Sequence, residues 1–165
     1  MWIRAETRDD HDAIRRLTDA AFAEAKHAGG GESRIIDALR DAGALSLSLV
    51  ADIDGRIAGH VAVSPVALTD GTPGWFGLGP VAVDPRDQGH GVGSALIRAA
   101  LAELHAQGAA GFVVLGDPAY YARFGFRRHA SLRYPYAPAD CFLALPSGGT
   151  PPDATVAYHD AFTLA

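Results

Sequence analysis

The sequence predicts an α/β fold, and two stretches of the chain carry that prediction. Apolar segments flank the dipeptide Asp54-Gly55, which is typical of a two-residue turn between antiparallel strands. Further along, a short apolar strand, a glycine-rich loop and a helical pattern precede the continuous apolar run of residues 111–115. This order of strand, loop, helix and strand predicts two parallel strands joined by a helix in a right-handed crossover. A mixed sheet covered by helices is therefore expected.

The composition is typical of one globular domain. The chain has 165 residues, of which 48% are hydrophobic and 20% are charged, so it can bury a sizeable core. No apolar run is long enough to span a bilayer, and the first residues lack the basic and apolar regions of a signal peptide. Cys141 is the only cysteine, so no internal disulfide can form. We therefore expect a cytoplasmic protein.

The charge balance restricts the partners. A formal net charge of −5 argues against nucleic acid and against anionic membranes. An anionic ligand would have to be held locally, by backbone amides and a few arginines. The sequence shows neither the spacing of metal ligands nor a Ser-His-Asp pattern, so we expect no metal.

The first quarter of the chain predicts one strand and two helices. Residues 2–6 indicate a strand, and residues 7–10 (Thr-Arg-Asp-Asp) have the spacing of a helix capping box. Apolar residues at helical spacing mark the two helices: Ile14, Leu17 and Ala21 in the first, Ile35, Ile36 and Leu39 in the second. A glycine-rich break at residues 27–31 separates them. The two helices either wall a substrate groove or form a surface hairpin, and Glu24 and Glu32 beside the break are candidate acceptor-binding acids.

The hairpin around Asp54-Gly55 carries a histidine that admits two interpretations. Leucines alternate with serines before the turn, and residues 57–64 return as the partner strand. His60 shares one face of that strand with three small residues, Ala58, Ala62 and Ser64. It is either a base on the acceptor side or a histidine whose hydrogen bonds are satisfied within the sheet, and the second interpretation is favoured.

The next strand contains a proline and is followed by a glycine-rich loop. Pro80 lacks an amide donor, so it predicts a bulge, a sheet edge or an opened strand pair near residues 81–83. The loop that follows, Gln88-Gly-His-Gly-Val-Gly93, leads directly into a helical pattern. The first amides of a helix have no internal partner and carry partial positive charge, so this junction predicts an anion site. No lysine follows the glycines as in a P-loop, and the acid of a dinucleotide fingerprint is absent.

The last third of the chain predicts another helix, a short tyrosine-bearing helix and two late strands. The helix after the loop runs to about Gln107, and Asp117 is placed to cap a short helix that Gly125 ends. Tyr120 and Tyr121 lie about 100° apart around that helix, so one can face the core while the other faces a cleft. Residues 129–140 indicate a loop, and residues 142–145 and 154–158 indicate strands on either side of a turn.

The Gln-x-x-Gly-x-Gly loop behind a strand resembles the pyrophosphate loop of the GNAT superfamily of acyl-CoA N-acetyltransferases. Three segments look like a small bacterial branch, the YhbS-like N-acetyltransferases: Gly59-His60 with Ser64-Pro65, Leu78-Gly-Pro-Val-Ala-Val83, and Leu115-Gly-Asp-Pro-Ala-Tyr-Tyr-Ala-Arg-Phe-Gly-Phe126. The resemblance covers nearly the whole chain and implies a single GNAT domain over residues 1–165. Its fold is a mixed, mostly antiparallel sheet with a central parallel strand pair opened into a V and helices on both faces.

The resemblance also implies site residues. Backbone groups of Val81, Ala82 and Val83 would hold the pantetheine arm of acetyl-CoA. Loop amides would hold its pyrophosphate, at Gln88, Gly89, His90, Gly91, Val92, Gly93 and Ser94. Tyr121 matches the tyrosine that usually protonates the departing thiolate. Residues 75–83 lack the glutamate base of many members, so the base is a water chain, His60, or an acid such as Glu24 or Glu32.

The implied function is acetyl transfer from acetyl-CoA directly to a primary amine. This chemistry needs positioning, a proton acceptor for the amine and a proton donor for the sulfur, but no nucleophilic residue. The acceptor is expected to be a small-molecule or peptide amine, and the protein a monomer or homodimer. An alternative is a catalytically idle acyl-CoA-binding sensor or regulatory module, which would keep the same glycine loop.

Overall fold

A computed structural model describes residues 1–23 and 31–164. Within them the strands are β1 (Trp2–Ala5), β2 (Leu47–Ile53), β3 (Arg56–Pro65), β4 (Ala67–Leu68), β5 (Trp75–Val83), β6 (Gly111–Leu115), β7 (Leu132–Arg133), β8 (Phe142–Pro146) and β9 (Ala154–Ala157). The helices are α1 (His11–Phe22), α2 (Glu32–Asp41), α3 (Val92–Ala106) and α4 (Pro118–Tyr121). Short 3-10 helices span Arg8–Asp10, Pro85–Asp87, Ala122–Phe124, Ala139–Cys141 and Asp160–Leu164.

The strands form a large mixed sheet and a small second sheet. The large sheet has the order β1-β2-β3-β5-β6-β8. All its neighbours are antiparallel except β5 and β6, which are parallel and joined through α3. The small sheet has the order β4-β9-β7. The predicted hairpin and the predicted parallel unit are both confirmed.

The large sheet is covered on both faces, as predicted. Apolar residues of α3 pack against one face, where Leu96, Ile97 and Ala100 are fully buried. On the other face α1 and α2 pack through Ile14 and Ile36. The small sheet packs on that second face against residues of β5, β6 and β8, where it buries a separate apolar cluster. None of the helices in residues 1–23 and 31–164 is long and apolar enough to cross a membrane.

The parallel pair opens part of the way along, which creates the cleft. β5 and β6 pair only from Trp75 opposite Gly111 to Gly77 opposite Val113. The pairing of β5 with its other neighbour, β3, shifts register beside Pro80. The prediction of a bulge and an opened pair at this proline is therefore confirmed. Because the two strands diverge, the backbone of the second half of β5 has no sheet partner on the β6 side.

Tyr158 lies where the strands begin to separate. A methyl group placed at Gly77 would come within 2.7 Å of the Tyr158 ring, so only glycine accommodates that ring against β5. Tyr158 follows β9, the central strand of the small sheet. The small sheet thus places an aromatic side chain from the end of the chain at the apex of the cleft.

The late part of the chain agrees with the sequence-based expectation in one respect and departs from it in another. The two strands predicted on either side of the turn are present as β8 and β9, of which β8 extends the large sheet beside β6 and β9 joins β4 and β7. The segment expected to be a loop contains β7 and a 3-10 helix. β4 and β7 have two residues each, too few for a periodic pattern to reveal.

A buried ion pair holds β1 to the helices. Asp10 accepts two hydrogen bonds from Arg4, at 2.7 and 3.1 Å, and one from the Thr7 amide at 2.7 Å. The last of these is half of the predicted capping box. The Arg4 guanidinium beside Asp10 holds the pKa of that carboxyl at about 2, because it stabilises the charged form.

Candidate functional site

Two cavities meet where β5 and β6 separate. The first, of about 450 Å³, is lined by the end of β5, the glycine loop, the start of α3, the end of α1 and the helix carrying Tyr120 and Tyr121. The second, of about 690 Å³, lies beside it, toward the small sheet. Phe22, Val81 and Tyr121 line both. The two cavities together could therefore hold two molecules that meet near these three residues.

The first cavity presents unpaired helix amides. α3 begins at Val92, directly after Gly91, whose φ of 85° is in the left-handed region. Within residues 1–23 and 31–164, no hydrogen bond is donated by the amides of Val92, Gly93 or Ser94. These amides and the dipole of a 15-residue helix make the end of the cavity favourable for an anion such as a phosphate.

Side chains hold the loop in this shape. The carboxylate of Asp84 accepts from the Arg86 amide at 2.9 Å, and the side-chain amide of Gln88 donates to the Val83 carbonyl at 3.1 Å. Asp87, which lines the cavity, forms an ion pair of 2.7 Å with Arg56. The hydrogen bonds from Arg56 lower the pKa of Asp87. Arg56 therefore neutralises a carboxylate that would otherwise repel an anion in the cavity.

Most of the residues expected to bind the cofactor line this first cavity. They are Val81, Val83, Gln88, Gly89, Gly91, Val92, Gly93 and Ser94. The side chains of the other two lie elsewhere. Ala82 is buried, opposite His60 in the strand pair, and His90 is exposed with its ring Nδ1 3.4 Å from the Asp87 carbonyl.

Arg123 is a lining residue that sequence reasoning missed. Its guanidinium lies 4.4 Å from the centre of the Tyr120 ring, and its Nε donates to the Tyr120 carbonyl at 2.9 Å. Of the described residues around the first cavity it is the one cation. Its spacing of three residues from Tyr120 on a helical turn was a signal that could have found it.

Tyr121 lies on the wall that the two cavities share. Its helix α4 follows β6 and is capped by Asp117, whose carboxylate accepts from the Ala119 amide at 2.9 Å. The ring packs edge-on against Phe126, with centroids 5.9 Å apart, and occupies the space that a side chain at Gly116 would fill. Burial raises the pKa of Tyr121 to about 12, because the phenolate would lose hydration. The hydroxyl is therefore protonated at neutral pH.

The two tyrosine rings are oriented differently from the prediction. The sequence predicts that one ring faces the core and the other the cleft, but in the structure both line the first cavity. Their rings meet edge to face at 5.0 Å, and the Tyr120 hydroxyl lies 3.5 Å from that of Ser94. Only Tyr121 reaches the second cavity as well. The two rings can share one cleft because the short helix lies beside it.

The second cavity is built mainly from apolar and aromatic side chains. Its described lining comes from many parts of the chain: Phe22, Glu32, Ile35, Leu78, Gly79, Pro80, Val81, Leu115, Gly116, Tyr121, Tyr136, Ala137, Pro138, Cys141, Tyr158 and Phe162. Glu32, one of the two candidate acids, is among them. The other, Glu24, lies outside the described residues. Cys141 is half-buried here.

His60 is enclosed in the sheet, away from both cavities. Its side chain is fully buried, and its Nε2 lies 2.8 Å from the Ser48 hydroxyl. Ser48 also hydrogen-bonds Glu6, which accepts from Arg40 at 2.9 and 3.1 Å. Burial lowers the pKa of His60 to about 4, so the ring is neutral. It lines neither cavity, so the ring is enclosed in the sheet as the favoured interpretation expects. Its hydrogen bonds are only partly satisfied there, because Nδ1 has no partner within residues 1–23 and 31–164.

Residues 1–23 and 31–164 contain no group of three or more His, Cys, Asp or Glu side chains placed to hold a metal ion.

A mixed sheet that opens between two parallel strands, with a glycine loop and a helix start at the opening, defines the acyl-CoA N-acyltransferase fold class. The family described as "Acetyltransferase (GNAT) domain" matches residues 2–128. Since this match covers most of the sequence, the chain belongs to the GNAT acetyltransferase family.

Relatives and solved structures agree with this assignment. The chain is 38% identical over 136 residues to the uncharacterized N-acetyltransferase YhbS of Escherichia coli K12, a match covering 81% of this chain and 78% of YhbS. A GNAT acetyltransferase of Brucella melitensis, crystallised with acetyl-CoA, superposes with a TM-score of 0.88 at 46% identity, covering 98% of this chain and 97% of that one. E. coli YhbS crystallised with CoA superposes at 0.85 and 33% identity, covering 98% and 91%. The fold predicted from the sequence is confirmed.

Proposed function

We propose that the protein is an acetyl-CoA-dependent N-acetyltransferase that moves an acetyl group directly to a primary amine. The observation that carries this proposal is the position of Tyr121, a protonated phenol on the wall shared by two cavities. One cavity ends at unpaired helix amides and suits a phosphate-bearing molecule. The other is mostly apolar and suits an organic acceptor. The relatives crystallised with acetyl-CoA and with CoA support acetyl-CoA as the phosphate-bearing molecule.

The first cavity fits acetyl-CoA through backbone groups. The open edge of β5 offers the main chain of Val81, Ala82 and Val83 to the amides of a pantetheine arm. The amides from Gln88 to Ser94 are placed for the pyrophosphate, and Arg123 adds a positive charge beside them. Acetyl-CoA would supply the activated acetyl group as its thioester.

The residues of this chain would then orient the reactants and move protons. A neutral amine in the second cavity forms the new C–N bond as the C–S bond breaks. Tyr121 donates its proton to the departing sulfur and recovers one from solvent. The amine proton passes to water or to Glu32, which is the acid among the described residues of that cavity. The buried position of His60 leaves it without access to the acceptor.

We also propose that residues 1–165 act as one domain, in the cytoplasm, as a monomer or homodimer. Tyr158 and Phe162 lie beyond the segment that matches the family, yet both line the second cavity. The small sheet and the last helix would therefore complete the acceptor site. The acceptor would be a small-molecule or peptide amine.

Thermal unfolding combined with thiol release tests the proposal. A ligand that binds only the folded protein at one hundred times its dissociation constant adds about 2.7 kcal/mol of stability. Acetyl-CoA should raise the melting temperature by several degrees, whereas NADH and ATP should raise it much less. Free CoA should then appear when a panel of amines is added. Equal shifts from all three nucleotides would contradict the proposal, and binding without turnover on any amine would favour the acyl-CoA-binding sensor.

A further inference from the structure

The second cavity contains a single charge among its described lining residues. That charge is the carboxylate of Glu32, at the start of α2. A carboxylate or phosphate brought into such a cavity loses hydration and meets no cation among the lining residues that the structure describes. It would also be repelled by Glu32 and by a protein whose net charge is −5. An ammonium group approaching the same cavity is attracted instead.

Aromatic rings form one wall of this cavity. The rings of Tyr136, Tyr158 and Phe162 line it, and the Tyr158 and Phe162 rings lie 5.0 Å apart. Tyr134, which does not line the cavity, supports this wall, with its ring 5.1 Å from that of Tyr158 and 5.6 Å from that of Tyr136. Tyr136 is 84% exposed at the mouth of the cavity. Such a wall favours flat or bulky apolar groups, and exposed ring faces attract organic cations. A volume of about 690 Å³ suffices for a drug-sized molecule.

The Tyr158 hydroxyl adds no charge to this wall. It is closed off from solvent and has no hydrogen-bond partner within residues 1–23 and 31–164. Burial also raises the pKa of this phenol, because the phenolate would lose hydration. A neutral hydroxyl in this position cannot neutralise a carboxylate in the cavity.

We infer that the acceptor is a small primary amine that carries an aromatic or bulky apolar group and no carboxylate or phosphate. This inference rests on the proposed function, since it names the acceptor of the same site. Arylalkylamines and the esters of aromatic amino acids belong to this class. Free amino acids, phosphorylated amines and aliphatic polyamines do not.

Steady-state kinetics with matched amines tests the inference. Phenethylamine and tryptamine are compared with phenylalanine and tryptophan, which add only a carboxylate, and with the two methyl esters, in which that charge is removed. Spermidine represents a polyamine. We expect kcat/KM for the amines and esters to exceed that for the free amino acids by on the order of 100-fold, the cost of an unpaired buried carboxylate. Higher kcat/KM for the free amino acids or for spermidine would overturn the inference.

Two substitutions test whether charge sets the preference. Ala137→Arg places a cation on the cavity wall and should raise kcat/KM for phenylalanine relative to phenethylamine by about tenfold. Ala139→Arg is the matched control, because Ala139 is exposed nearby but lines neither cavity. With water as the acceptor of the amine proton, Glu32→Gln should lower kcat/KM for phenethylamine by about 2- to 5-fold, through the lost charge attraction alone. An equal change of preference in both arginine variants would overturn the role of the cavity wall.

A binding measurement separates this inference from the proposed function. Saturation-transfer NMR on the protein with CoA reports whether phenethylamine and phenylalanine bind, with or without turnover. Selective binding of phenethylamine without turnover would support the acceptor class and overturn the proposed enzyme. Turnover confined to carboxylated amines would support the enzyme and overturn the acceptor class. Failure of both binding and turnover would overturn both.

Discussion

The two cavities of the cleft are built in different ways. The first is formed largely by consecutive backbone, from the end of β5 through the glycine loop to the start of α3. The second is formed by side chains from α1, α2, β5, β6, the segment around Tyr136 and the C-terminal part of the chain. A phosphate-bearing molecule that is always the same can be bound by main-chain groups, which are common to all sequences. An acceptor that differs between enzymes requires side chains that can differ.

Tyr121 belongs to both cavities, so its replacement should have the largest effect. Tyr121→Phe keeps the ring and its packing but removes the proton that the sulfur would receive in the proposed mechanism. General acid catalysis contributes about 100- to 10,000-fold, and we expect kcat to fall by that factor with little change in acetyl-CoA affinity. Turnover and calorimetric binding on the same preparation measure both.

Tyr120→Phe is the matched control for this substitution. Its hydroxyl lies beside Ser94 in the first cavity only, so the variant should change acetyl-CoA affinity more than kcat. A crippled Tyr120→Phe beside an active Tyr121→Phe would show that the roles of the two tyrosines are reversed.

Displacing Tyr121 without altering it should have the next largest effect. An added methyl group in Gly116→Ala would overlap the Tyr121 ring and move its hydroxyl. Misplacement of a reacting group by about 1 Å can cost on the order of 100-fold in rate. We expect kcat to fall toward that value while acetyl-CoA binding persists. A Gly116→Ala enzyme with normal kcat would mean that the position of this hydroxyl does not limit the rate.

A change confined to the first cavity should affect binding instead. Gly91 has a φ of 85°, and a non-glycine residue in the left-handed region costs about 1–3 kcal/mol. If the loop relaxes to avoid that cost, Gly91→Val should weaken acetyl-CoA binding by about 5- to 150-fold. Binding is measured by calorimetry, and circular dichroism checks that the fold is retained.

Gly108→Val provides the control for backbone strain. Gly108 has a φ of 92°, lies in open space and follows the far end of α3. The Gly108→Val variant should lose a similar amount of unfolding free energy while keeping its affinity for acetyl-CoA. If both variants lose affinity equally, the effect of Gly91→Val reflects general destabilisation, and the loop does not contribute specifically to acetyl-CoA binding.

The smallest effect expected is that of tyrosine ionisation on the rate. The pKa of Tyr121 is raised to about 12, whereas the ordinary pKa of a tyrosine is about 10. The Tyr121 hydroxyl therefore stays protonated at pH values where an ordinary tyrosine would ionise. At saturating acceptor, kcat should therefore not fall between pH 8 and about 10.5, while kcat/KM for the acceptor rises as the amine loses its proton. A fall in kcat governed by a pKa near 10 would show that Tyr121 is hydrated in the working enzyme.

Local patterns in the sequence determined the first cavity and most of the fold. The turn at Asp54-Gly55, the strand interrupted at Pro80 and the glycine loop each lie within about ten consecutive residues, so their geometry follows from neighbouring backbone preferences. The resemblance to a known family could be stated from the same segments. It also pointed to Tyr121 in the segment that ends in Phe-Gly-Phe.

Only the tertiary structure decided the second cavity. Glu32 is far in the sequence from Cys141, Tyr158 and Phe162. The last two reach the cavity because β9 pairs with β4 and β7 in the small sheet instead of pairing with β8. That choice depends on which strand edges are free and which side chains fit at the apex, as the Tyr158 ring fits against Gly77. Such long-range pairings leave no periodic signal in either segment, because each strand alone is compatible with several partners.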